Sequence, residues 1–246
     1  MPGRKTLGVA ALAAMLAACY PTASHRAAGR TAAVAAPPCG KDVYRIDPRR
    51  SQLQVLVYRA GAMASLGHDH VIGNAALSGW VELARPVGDS RFRLEVPVAA
   101  FVVDAADARR AVGGDFAAPV PAQARAATRE HMLGADQLDA ARHPTIVVSS
   151  LAISGVEPDL TARVAVRVAG RTAAITVPFV LARASGRLSA TAAFDLRQTA
   201  LGLTPYRVML GALRVRDTIG VRVRLVAAQA GLSGPVRSGS ACRPAP

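Results

Sequence analysis

The segment Ser65-Leu66-Gly67-His68-Asp69-His70-Val71-Ile72-Gly73 is the one obvious concentration of titratable side chains in the body of this sequence. Alternate side chains of an extended backbone share a face, so His68 and His70 point the same way. Two imidazoles so placed support three kinds of chemistry. With a third ligand from His131 or Asp136 they would hold zinc or copper, the metal set being His68, His70 and His131. Facing an amphiphile, His68, Asp69 and His70 would instead bond a quinone or phosphate head group. In the third case the segment is only a loop, one histidine satisfying backbone groups and the other solvated. No Gly-x-Ser-x-Gly, His-Glu-x-x-His or phosphate-cradling loop occurs. Catalysis would therefore have to be metal-dependent and use His68 and His70, and the chain is expected not to be an enzyme.

The elements that must position these residues read as strands. In Arg91-Phe92-Arg93-Leu94-Glu95-Val96-Pro97-Val98 every second residue is apolar, the period of a half-buried strand. The pattern returns at Leu53, Val55 and Val57, at Val164, Val166 and Val168, at Leu188 to Leu196, and at Ile219 to Leu225. Short runs at Ala75 to Leu83, Ile146 to Ile153 and Thr172 to Leu181 bring the number to about eight. One helical insertion is expected over Ala122 to Ala141, broken by Gly134 and ended by Pro144, which disfavours helix at His143. With no long amphipathic helix to cover the apolar strand faces, closure into an antiparallel barrel solves both the core and the edge problem. The fold class is all-β, with the helix a plug or lid at one mouth.

Phe101, Met132, Phe179, Phe194 and Tyr206 are candidates to line an interior tunnel, although a small barrel can also be filled by its own side chains, which would make it a structural envelope protein. The chain has one Trp, four Tyr and five Phe. An interior lined mostly by aliphatic groups suits a flexible hydrocarbon better than a stacked ring.

At the N-terminus, Arg4 and Lys5 precede an apolar run from Leu7 to Met15 and then Leu16-Ala17-Ala18-Cys19. The run is too short for a membrane span, and residues 1–18 read as a secretory signal. The Leu-Ala-Ala-Cys box resembles the bacterial lipoprotein lipobox, which implies cleavage before Cys19 and acylation of that cysteine. Tyr20, in place of an inner-membrane retention aspartate, favours the outer membrane by analogy. Residues 19–40 read as a flexible tether, 41–229 as one domain and 230–246 as a Gly-, Ser- and Pro-rich tail. In an oxidising compartment Cys39 and Cys242 are expected to pair, joining the two ends of the domain. The net charge of +14 becomes +12 without Arg4 and Lys5, and all basic residues except Lys5 and Lys41 are arginine. The arginines are spread along strands without interleaved aromatics. That argues against nucleic acid as a partner and for anionic lipid or envelope polymer.

Tyr44-Arg45-Ile46-Asp47-Pro48, the run His131-Met132-Leu133-Gly134-Ala135-Asp136-Gln137-Leu138-Asp139-Ala140-Ala141-Arg142-His143-Pro144-Thr145-Ile146, and Phe194 to Tyr206 with Val215-Arg216-Asp217 resemble the YceI-like family. The resemblance covers nearly all of Val43 to Ala227. It implies a lipocalin-like barrel whose interior takes a polyprenyl or quinone-type isoprenoid, with no catalytic residues. The chain departs from the family's usual Arg-Gly-Phe-type segment at Gly67-His68-Asp69-His70.

Overall fold

A computed structural model describes Pro38 and residues 42–229. The signal segment, Cys19, Cys39, Cys242 and the tail lie outside the described residues, and so does most of the tether. In chain order the strands are β1 (Val43–Ile46), β2 (Gln52–Val57), β3 (Arg59–Ala60), β4 (His70–Asn74), β5 (Ser78–Glu82), β6 (Arg91–Pro97) and β7 (Val102–Val103). The helices α1 (Ala106–Val112) and α2 (Ala122–Leu133) follow. The remaining strands are β8 (Thr145–Val156), β9 (Asp159–Val168), β10 (Arg171–Ala184), β11 (Arg187–Arg197), β12 (Arg207–Val208), β13 (Leu213–Val215) and β14 (Thr218–Gln229).

Eight strands close an antiparallel barrel in the order β1-β5-β6-β8-β9-β10-β11-β14, with β14 returning to β1. Closure leaves no free sheet edge around this ring, as the alternation required. The far half of β14, Gly220 to Arg224, pairs instead with β2, and β2 leads on to β4 and β7. This branch carries the histidine segment to one end of the barrel, because Val57 and His70 are directly paired. A small sheet, β12-β13-β3, stands beside it.

The strand periodicity holds residue by residue. Along β9, Leu160, Ala162, Val164, Val166 and Val168 are buried while Arg163 and Arg167 are exposed. In β8 the inward set changes parity, from Ile146 and Val148 to Ile153, because a bulge lies between Ser150 and Ala152. Leu151 is thereby turned out and is 53% exposed.

Two helices are present where the sequence pointed to one. Helix α1 lies in an Ala-rich run that carries no apolar periodicity to announce it. Helix α2 ends at Leu133 and not at Ala141, so Pro144 does not set its end. Gly134 has an extended backbone, and its N–H caps the carbonyls of Glu130 and His131. The chain then folds back, with Leu138 N–H bonded to Met132 O and Ala140 N–H to Leu133 O. Arg129 pins α2 to the β6–β7 connection by donating to Ala99 O at 2.8 Å and Phe101 O at 3.3 Å.

Candidate functional site

The barrel encloses a cavity of about 690 Å³. One end is closed by Ile46, Leu160, Leu181, Leu188 and Ala227, each at most 9% exposed. The wall is aliphatic, with inward rows such as Val164, Val166 and Val168 on β9 and Ala190, Ala192 and Leu196 on β11. At the other end α2 turns Ala124, Ala127, Thr128, His131 and Met132 to the cavity, the i, i+3, i+4, i+7, i+8 face of a helix. Among the described residues lining the cavity there is no Asp or Glu, whereas Arg59, His68, His70, His131, Thr128 and Tyr206 all border it.

His70 is the most constrained of these groups. Its Nδ1 lies 2.6 Å from Oδ2 of Asp104, and its Nε2 lies 3.4 Å from Thr128 Oγ1. The other oxygen of Asp104 accepts Val71 N–H at 2.8 Å and Arg109 Nη1 at 2.6 Å. Arg109 also donates to Asp69 O at 2.7 Å and to Ala118 O at 2.7 and 3.0 Å. Asp104 and Arg109 are 1% and 4% exposed, so this is a buried, fully hydrogen-bonded charge network. Burial alone would raise the Asp104 carboxyl. The hydrogen bonds from His70 and Val71, the His70 charge and Arg109 outweigh burial and hold it below its ordinary value. A carboxylate so held accepts from Nδ1–H and leaves Nε2 of neutral His70 as an acceptor toward the cavity; as imidazolium, His70 donates there instead. Asp104 also has a positive φ of 54°, tolerable for aspartate and held by the network around it.

The sequence-read residues divide. His68, His70, Phe101, Met132, His131, Phe179, Phe194 and Tyr206 all border the cavity. Asp69 does not: it is 7% exposed and its carboxylate accepts Arg59 N–H at 2.7 Å, which fixes the start of β3. Asp136 is exposed and borders no part of the cavity. The rings of His68 and His70 are 6.2 Å apart, while His131 packs on Tyr206 at 4.9 Å. Among the described residues no three His, Cys, Asp or Glu gather so as to hold a metal ion. Sequence reasoning missed Asp104 and Arg109. The available signal was Asp104 just ahead of an Ala-rich run with Arg five residues later, which reads as a helix start and not as a partner for a distant histidine.

A closed antiparallel barrel with an apolar interior, a helix across one end and polar donors at that end defines the lipocalin-like class. Within that class the chain belongs to the YceI-like domain family, whose model matches residues 44–227. No curated protein matches it significantly. Among solved structures it is similar to BcnA of Burkholderia cenocepacia, with 15% identity, TM-score 0.53, and coverage of 74% of this chain and 99% of that one. It is also similar to a polyisoprenoid binding domain from Saccharophagus degradans implicated in plant cell wall breakdown, with 12% identity, TM-score 0.51, and coverage of 76% and 98%. Among the described residues no helix is long and apolar enough to cross a membrane.

Proposed function

We propose that this protein binds an amphiphilic isoprenoid, polyprenyl or quinone-type, with the hydrocarbon chain inside the barrel and the head group at the His68–His70 end. The observation that carries this reading is the aliphatic cavity of about 690 Å³, within the size range of small-molecule pockets. Binding is driven by moving the chain out of water, roughly 0.8 kcal/mol per buried methylene before the costs of ordering are subtracted. The likeness in fold to a polyisoprenoid binding domain supports the ligand class. The head group meets His68, His70, Thr128 and Arg59, and no carboxylate of the lining repels a phosphate or a quinone oxygen.

The reading extends to location. Residues 1–18 direct export, Cys19 carries the lipid anchor in the bacterial envelope, with the outer membrane favoured, and a Cys39–Cys242 disulfide joins the domain ends. The protein carries or stores its ligand and performs no chemistry on it. The test is organic extraction of protein purified from its native envelope without added lipid, analysed by mass spectrometry with metal content measured on the same sample. A stoichiometric polyprenyl or quinone species is expected. An empty barrel containing zinc or copper would refute the proposal.

A further inference from the structure

The rim of the cavity beside β12 and β13 exposes three large apolar side chains. Leu210 is fully exposed, Leu66 is 62% exposed and Met209 60%. They sit together on one edge. Met63, which caps the short helical turn Ala64–Leu66, donates its N–H to O of Ala212, the residue before β13, at 2.9 Å, and Ala212 N–H in turn bonds Met209 O at 3.0 Å. Met209 and Leu210 both have positive φ, 50° and 54°, a conformation that costs a non-glycine residue energy. The turn therefore holds its apolar tip away from the barrel at a cost in local strain.

The charge beside this tip is one-sided. Residues 198–216 contain Arg207, Arg214 and Arg216 and no Asp or Glu. Arg207 and Arg214 are exposed and directly opposite each other across β12 and β13, an arrangement of like charges that destabilises a strand pair. Among the described residues neither forms an ion pair. The other end of the barrel also exposes an apolar residue, Val156, but there Glu157 pairs with Arg183 and Asp159 adds a second carboxylate.

An exposed apolar tip flanked by unpaired arginines, at the mouth of an apolar cavity, has the chemistry of a membrane-surface contact. We propose that Leu66, Met209 and Leu210, with Arg207 and Arg214, dock the mouth of the barrel onto an anionic bilayer surface, so that an apolar ligand passes between membrane and cavity without crossing water. The apolar side chains enter the head-group boundary and the arginines meet lipid phosphates.

The test is co-sedimentation of the mature chain carrying Cys19→Ser, which removes any acyl anchor, with vesicles of phosphatidylglycerol and phosphatidylcholine against phosphatidylcholine alone. Preferential binding to the anionic vesicles is expected, weakened by added salt. At roughly fivefold per arginine, the double variant Arg207→Gln with Arg214→Gln should lose about 25-fold in affinity. Met209→Ser with Leu210→Ser should reduce binding to both kinds of vesicle. Arg207, Met209 and Leu210 are exposed and do not border the cavity, so Arg207→Gln alone and Met209→Ser with Leu210→Ser should leave far-UV circular dichroism and occupancy of the cavity by an apolar fluorescent probe unchanged. The double arginine variant, whose Arg214 borders the cavity, should leave the circular dichroism unchanged. Equal binding to both vesicles by the parent chain, or variants that bind as the parent does, would overturn the docking proposal. Failure of the parent chain to take up the probe would count against the ligand reading alone.

Discussion

Replacing Asp104 by alanine removes the carboxylate that joins β4, α1 and the cavity histidine. Three hydrogen bonds go with it, to His70 Nδ1, Val71 N–H and Arg109 Nη1. Val71 is 1% exposed, so its N–H loses its partner out of reach of water, a cost of about 1–3 kcal/mol. Arg109 keeps Asp69 O and Ala118 O as partners but loses its only counter-charge among the described residues. Breaking a buried pair of this kind typically costs about 3–5 kcal/mol, which we take as the size of the whole effect. For a domain of this length that lowers Tm by roughly 6–20 °C. Urea unfolding of the parent and variant, followed by far-UV circular dichroism, measures it. Asp104→Asn separates charge from hydrogen bonding: its carbonyl can still accept from Val71 and Arg109, while its NH₂ faces His70 and forces the imidazole to accept at Nδ1. The Asn variant should therefore be the more stable of the two, yet with Nε2 of neutral His70 converted from acceptor to donor at the cavity. A loss below about 1 kcal/mol for Asp104→Ala would refute the reasoning, since a surface pair would do as much.

The same carboxylate sets an acid limit. Its folded pKa lies below the ordinary 3.8, so its contribution is complete above about pH 4 and is lost as pH falls through the folded value. Urea midpoints measured from pH 7 to pH 2 should fall in that window, and Asp104→Asn should flatten the fall. Phe101 and Phe194 should behave differently on truncation to alanine. Both border the cavity, but Phe101 is 5% exposed and part of the packed core and should cost about 3–5 kcal/mol, whereas Phe194 is only half-buried and outside that core and should cost less than half as much in the same unfolding assay. Ala192→Phe, pointing inward from β11, should abolish uptake of an apolar fluorescent probe and leave the circular dichroism spectrum intact. Gly79→Ala should fail to fold or lose most of its stability in a thermal melt, because a Cβ there would lie 2.1 Å from Arg93 O at a φ of +139°.

The strand alternation was a local property and was legible as such. Which residues of β2, β6, β9, β11 and β14 face inward follows from a period of two, because a pleated backbone leaves no other choice. Closure followed from the lack of anything else to cover the apolar faces. The bulge at Ser150 and the existence of α1 were not legible, since each depends on a packing partner distant in sequence, whereas the break at Gly134 was legible and only the failure of the helix to resume as far as Ala141 was not. The same holds at the site. His70 could be singled out from its neighbours, but its tautomer is set by Asp104, 34 residues away, and Asp104 in turn by Arg109 and Val71. Asp69 looked like part of a binding triplet and instead fixes the backbone of Arg59. Sequence by itself determined the period, the apolar interior and the histidines that border it. Tertiary structure alone decided which carboxylate meets which cation, because hydrogen-bond partners are chosen by proximity in space, and a buried charge accepts whichever partner the closed barrel brings to it.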